Sequence, residues 1–282
     1  MNYLKSHNEA LRLKHQLEGF VETLPLDLAI SLCQISFFDL KIYENFFENL
    51  FSLKIDKNLR LGNRVEYLFE YALRKMPNIE VVVKSIQIVE NKITLGELDF
   101  IVFDKLKNEF THIEIANKFY LYDEKITVEK QRWIGPNRTD SLVEKCEKLR
   151  TKQFPLIDNK TTKSQLVALG IDVFRIKQAI HFKAQLFVPL HLQNKVFPLV
   201  NAENIKGYYL NLKQFQQAEF KHYEYFIPEK QDWFTEPENG EIWFTFQEIQ
   251  DSILLHFKEE KSPLIWVKKN ENEFEKVFLV WW

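Results

Sequence analysis

Between Leu95 and Leu121 the chain carries two stretches of period-two alternation, LGELDFIVFD and EFTHIEIANKFYL, joined by the polar turn KLKN. Two such runs this close in sequence fold as an antiparallel hairpin. A turn at 105–108 fixes the register: Asp104 pairs with Glu109, and further along the ladder Asp99 stands opposite Glu114. On one face Leu98, Phe100 and Val102 meet Ile113 and Ile115, which reads as core. The other face carries Asp99, Glu97 opposite Ala116, Glu114, His112 and Lys118. Directly opposed side chains have Cβ atoms about 4.5–5.5 Å apart, and like charges there are destabilising. A divalent cation with oxygen ligands, Mg²⁺ or Mn²⁺, relieves that repulsion. The competing reading is a solvated sheet face with scattered charges, common in antiparallel sheets.

The rest of the chain frames this hairpin. Leu11, Leu13, Leu17, Phe20 and Val21 recur at helical spacing until Pro25. Further helical segments are predicted over about 26–38, from Asp39 through Tyr43, Phe46, Phe47, Leu50 and Phe51, and over 63–75. Residues 79–89 (IEVVVKSIQIV) suit a strand. A helix is predicted over 140–153, a loop over 155–163 and a strand over 183–190. A helix over 246–259 and a terminal hairpin of PLIWVKK with EFEKVFLVWW complete the pattern.

Composition excludes several classes. With 25 Phe, 10 Tyr and 6 Trp the chain has too much aromatic surface to stay disordered. Its two cysteines, Cys33 and Cys146, make no disulfide framework and fall on apolar helical positions that suit packing. No apolar run reaches the roughly 18 residues of a membrane helix, and the polar N-terminus lacks a signal-peptide core. A soluble cytoplasmic protein with no membrane partner is expected.

The formal net charge of -2 removes the general argument for nucleic-acid binding, so only local charge can carry it. Between 125 and 152 there are eight Lys or Arg against four Asp or Glu. Arg132 and Arg138 flank Trp133 and the Gly135-Pro136 turn. Lys145 and Lys148 share a helix whose Leu142, Cys146 and Leu149 face inward. Basic side chains beside an aromatic suit phosphate contact and base stacking; a solvated amphipathic helix has the same pattern.

The runs GELDFIVFD, EFTHIEIANKFYL and WIGPNRTDSLVEKCEKLRTKQFPL resemble an uncharacterised bacterial family known as a domain of unknown function and grouped with the PD-(D/E)XK nuclease-like superfamily. The resemblance is strongest over about 60–156. It implies an α/β fold with a restriction-endonuclease-like core at 61–190, whose order is helix, three-stranded meander, helix, strand. A helical segment at 1–60 precedes that core, and an aromatic-rich α+β extension at 191–282 follows. The implied function is Mg²⁺- or Mn²⁺-dependent hydrolysis of DNA or RNA. Asp99 and Glu114 would be the metal ligands, and Glu66, in GNRVEYLFE, would bind directly or from the next layer out. The superfamily spacing puts a lysine at position 116, which here is Ala116. Lys118, two residues on along the same face, is the nearest lysine. Gln153 falls where some members place a polar active-site residue. A nuclease-like domain that has lost catalysis and binds nucleic acid or protein is the alternative.

Overall fold

The computed structural model describes residues 2–44, 46–48, 50, 53 and 55–282, the stretch 2–8 by its backbone alone. The helices are α1 (Asn2–Glu22), α2 (Asp27–Cys33), α3 (Leu61–Arg74), α4 (Leu142–Lys148), α5 (Lys160–Ala168), α6 (Leu212–Phe215) and α7 (Phe246–Lys258). The strands are β1 (Ser36–Phe37), β2 (Ile79–Glu90), β3 (Ile93–Asp104), β4 (Glu109–Tyr122), β5 (Trp133–Ile134) and β6 (Lys177–Pro189). They continue as β7 (Ile205–Asn211), β8 (Glu224–Phe226), β9 (Phe244–Thr245), β10 (Leu264–Asn270) and β11 (Glu273–Val280). The fold is mixed α/β. Among the described residues no helix is long and apolar enough to cross a membrane.

The chain divides into two compact units, and each is assembled from separated segments. A meander unit holds 25–117 and 143–183; an aromatic unit holds 1–24, 118–142 and 184–282. Strands β4 and β6 each begin in the meander unit and end in the aromatic one.

In the meander unit β2, β3 and β4 run antiparallel, and β1 pairs in parallel with β6. The turn at 105–108 sets the predicted register, with Asp104 opposite Glu109 and Phe100 opposite Ile113. Val83, Ile88, Leu98 and Ile101 pack with Leu156, Ile157, Leu166 and Ile171 into one core. On α3, Phe69 meets Phe100 edge-on at 5.1 Å between ring centroids.

Several expectations fail in this unit. The segment predicted helical over 26–38 ends its helix at Cys33 and runs into β1, and the described residues of 39–53 form no α-helix, with Phe51 outside the described residues. The reason for the latter is visible in Tyr71, whose hydroxyl lies 2.7 Å from the carbonyl of Phe46 and 2.8 Å from that of Glu48 and shares its one proton between them. Those carbonyls are bound across the fold rather than along a helical ladder. The predicted loop at 155–163 is a 3₁₀ turn, Phe154–Asp158, followed by α5. Asn159 caps α5 by accepting from the Thr161 amide at 2.7 Å, a signal that was present in the sequence.

In the aromatic unit β6, β7 and β11 are parallel neighbours, β10 runs antiparallel to β11, and β8 and β9 follow. Phe215, Phe220, Tyr225 and Phe246 pack with Ile249, Ile265, Val277 and Leu279. Thr245 and Glu248 form a capping box that starts α7. Helix α1 belongs to this unit: Arg12 and Gln16 both donate to Asp232. A Cβ on Gly19 would meet the Phe234 carbonyl oxygen at 2.0 Å, so α1 can approach that segment only with glycine there.

Candidate functional site

The meander is interrupted along one row. Between β2 and β3 the register pairs Lys84 with Phe100 and Ile86 with Leu98, so Ser85 and Asp99 share the intervening row. Between β3 and β4 the ladder stops at Phe100 and Ile113, one row short of Asp99 and Glu114. The Ile115 amide instead donates to Asp99 Oδ2 at 2.9 Å. Ser85 has φ +49°, inside a strand. That left-handed conformation is unfavourable for any residue with a Cβ and collects at functional sites.

This row changes the facing of the strands, which corrects the predicted core face. Leu98 and Ile101 lie in the same core cluster although they are three positions apart. Strict alternation places an odd offset on opposite faces. Phe100, predicted to share a face with Leu98, packs against Phe69 of α3. Ser85, whose φ is positive, lies in the same row as Asp99.

Glu114 is the most enclosed acidic residue of the row, with its side chain 0% exposed. Its Oε1 lies 2.9 Å from His112 Nε2 and its Oε2 accepts from Gln153 Nε2 at 2.5 Å. Gln178 Nε2 approaches His112 Nδ1 at 3.4 Å and donates to the Phe154 carbonyl at 2.7 Å. One neutral tautomer, with the proton on Nε2, satisfies both contacts of His112. Burial holds that imidazole neutral by pushing its pKa down to about 4.

Gln153 reaches Glu114 because the end of the predicted 140–153 helix is not α-helical. Helix α4 closes at Lys148 and continues as a π-helical turn, Leu149–Gln153. Lys145 Nζ then donates to Gln153 Oε1 at 3.1 Å, across eight positions. A continuous chain of polar contacts runs from Lys145 through Gln153 and Glu114 to His112 and Gln178.

The carboxylates show the strain of this arrangement. Burial, and next the charge of Glu114, pushes Asp99 up to about 8. Glu114 is also raised, chiefly by burial, with Lys145 opposing the shift. Glu66 on α3 is raised by burial, lowered by the hydrogen bond from Ser85 Oγ at 2.8 Å and raised again by Glu97. The row thus gathers Asp99 and Glu114, brings in Glu66 through Ser85, and adds Glu97 as a further negative neighbour. A carboxyl pair in such surroundings holds a proton unless a cation replaces it.

The donor set suits a hard divalent ion bound through two carboxylates and waters, the mode by which Mg²⁺ is usually held. Among the described residues no group of three or more His, Cys, Asp or Glu side chains is gathered to hold a metal by itself. Asp99 and Glu114 would be the protein ligands.

The other predicted residues lie as follows. Lys118 belongs to the aromatic unit, where its ammonium pairs with Asp140 at 2.7 Å. In the same unit Arg132 binds Glu129 at 2.7 Å and the Ile126 carbonyl at 2.6 Å. Arg138 binds Asp123 at 2.7 Å and lies over the Trp282 ring at 4.4 Å. Lys148 is exposed on α4. Cys33 and Cys146 are buried free thiols, and Cys146 Sγ donates to the Ala29 carbonyl at 3.8 Å. Ser85 and the Lys145–Gln153 contact were not anticipated. No period-two or period-3.6 pattern encodes a positive φ at a serine or a π turn.

No curated protein and no solved structure matches the chain. The sequence model of the family described as Domain of unknown function (DUF1853) matches residues 45–280, most of the chain. The protein belongs to that family.

Proposed function

We propose that the meander unit carries a metal-dependent phosphodiesterase site of the PD-(D/E)XK nuclease type, acting on DNA or RNA. The element order α3, β2–β3–β4, α4, β6 supports the nuclease-like core. The observation that carries the reading is the opened row, in which the Asp99 carboxyl takes the Ile115 amide at 2.9 Å where the ladder has stopped and lies near enough to Glu114 to feel its charge.

Asp99 and Glu114 would hold the Mg²⁺ or Mn²⁺, and Glu66 would add negative charge from α3. The metal would supply polarisation of a phosphoryl oxygen and a lowered pKa for an attacking water. The protein's own groups prepare that chemistry. The Ile115 amide fixes one Asp99 oxygen, while His112 and Gln153 fix both oxygens of Glu114. Lys145 favours the ionised form of both carboxyls and would bring positive charge to a phosphate held beside them. Lys145 is a stronger candidate than Lys118 for the ammonium that position 116 lacks, because its charge acts on both carboxyls whereas that of Lys118 is taken up by Asp140. Lys148, exposed on the same helix, anchors a neighbouring phosphate.

The second reading, a nuclease-like module that binds without cleaving, is favoured by Ala116 and by that Lys118–Asp140 pair. Mn²⁺ titration of wild type and Asp99→Ala, followed by cleavage assays on DNA and RNA, separates the two. Metal binding lost in the variant together with Mn²⁺-dependent cleavage supports the enzyme. Nucleic-acid binding without cleavage supports the module, and neither metal nor nucleic-acid affinity defeats both.

A further inference from the structure

The row that opens the meander is set by one residue whose backbone works against its side chain. Ser85 sits at φ +49° between the regularly paired Lys84 and Ile86. Its neighbours face different ways: Lys84 Nζ pairs with Glu70 of α3 at 2.6 Å, while Ile86 packs against the Leu98–Ile101 core. An extended residue at 85 would continue the alternation of Val83 and place its side chain on the core side. The left-handed turn redirects it, and its Oγ donates to Glu66 Oε2 at 2.8 Å. Glycine would take this conformation without a Cβ penalty, and asparagine tolerates it better than serine. A hydroxyl kept at such a position, aimed at an acidic side chain, indicates that the bond matters more than backbone comfort.

We propose that Ser85 is a positioning residue, which opens the row at Asp99 and holds Glu66 in the orientation the metal site requires. This rests on the metal-site reading above. Ser85 touches neither metal nor substrate; it acts through Glu66. Groups in the layer around a metal site typically change its metal affinity about 10–100-fold when removed. Removing the hydroxyl while relieving the backbone therefore has two opposite effects. Stability is retained or gained, and metal affinity is lost.

The test is Mn²⁺ titration, read by electron paramagnetic resonance, with thermal melting of the same full-length preparations. Wild type, Ser85→Gly and Ser85→Ala are compared, alone and with Glu66→Gln. Ser85→Gly is expected to melt at or above wild type and to bind Mn²⁺ about 10-fold more weakly. Ser85→Ala keeps the strain, so it should melt below Ser85→Gly with the same loss of affinity. In the Glu66→Gln background, Ser85→Gly should weaken binding no further, since the two residues act as one. Full Mn²⁺ affinity in Ser85→Gly, or an equal loss with and without Glu66, overturns the positioning role and leaves the metal site standing. Wild type that binds no Mn²⁺ overturns the metal site and the positioning role together.

Discussion

The side-chain amide of Gln153 donates to Glu114 Oε2 at 2.5 Å, joining a π turn to the middle of a strand 39 positions away. Gln153→Leu keeps much of the volume but leaves a fully buried carboxyl oxygen without its donor. A loss of about 1–3 kcal/mol follows. Urea unfolding near pH 7 should show a lower midpoint at an unchanged slope. A variant as stable as wild type would mean that water replaces the amide.

The carboxyl pair makes stability depend on pH with a definite sign. Burial, and then Glu114, raises Asp99 to about 8 in the folded protein, whereas an unfolded aspartate titrates near 3.9. Between those values the folded state binds a proton that the unfolded state has released. The stabilisation is complete below about 4 and is lost as pH rises towards 8. Glu114, shifted the same way, adds to the trend. His112, lowered by burial to about 4, acts on the acid side: its contribution is present above about 6.5 and lost as pH falls. Urea midpoints at pH 6.5 and 8.5 should fall in wild type and fall less in Asp99→Asn. Parallel falls in both proteins would show that Asp99 does not hold the proton.

Two lysines compete for one role, and a pair of substitutions separates them. Lys145→Met should reduce Mn²⁺-dependent cleavage by about 10²–10³-fold, the usual effect of removing one preorganised charge. Lys118→Ala breaks the bond to Asp140 and should leave turnover close to wild type. The reverse ranking, measured at saturating Mn²⁺ on the same DNA or RNA, would return the role to Lys118.

Arg138 was expected at a nucleic-acid surface, yet its guanidinium closes over Asp123, whose side chain is 3% exposed. Arg138→Ala should therefore lower stability by about 1–3 kcal/mol through the carboxylate left without its partner. Arg138→Lys should recover only part, since an ammonium cannot both pair with Asp123 and lie flat over Trp282. If thermal melting is unchanged while nucleic-acid affinity falls, the surface role is the correct one.

What the sequence disclosed depended on the range of the interaction. The Asp104–Glu109 register was readable because turn length and alternation are local, and it extends correctly to Phe100 and Ile113. The terminal hairpin of β10 and β11 was readable for the same reason. The segment around Phe46 has helical spacing, but Tyr71, 25 positions on, takes its carbonyl, and spacing carries no record of that. At the site, residue types were legible where residue partners were not. Asp99 and Glu114 followed from register. Lys145 as their electrostatic partner required a non-α turn that leaves no compositional mark, and the reversal of Leu98 relative to Phe100 required a backbone state that serine rarely adopts.

The π turn at Leu149–Gln153 also bears on how this site can be lost by descent. A π turn carries one residue more than an α-helical path between the same ends. Substitutions that let the α-helical ladder close through the same five residues would carry Gln153 one residue further round, about 100°, away from Glu114. No side chain at the carboxylates would change, and every acidic position would still align. On the metal-site reading, a relative with an unbroken α-helix here would keep the acidic pair and lack the contact that orients Glu114, so the path of the backbone through this turn is a sharper criterion for activity than the acids themselves.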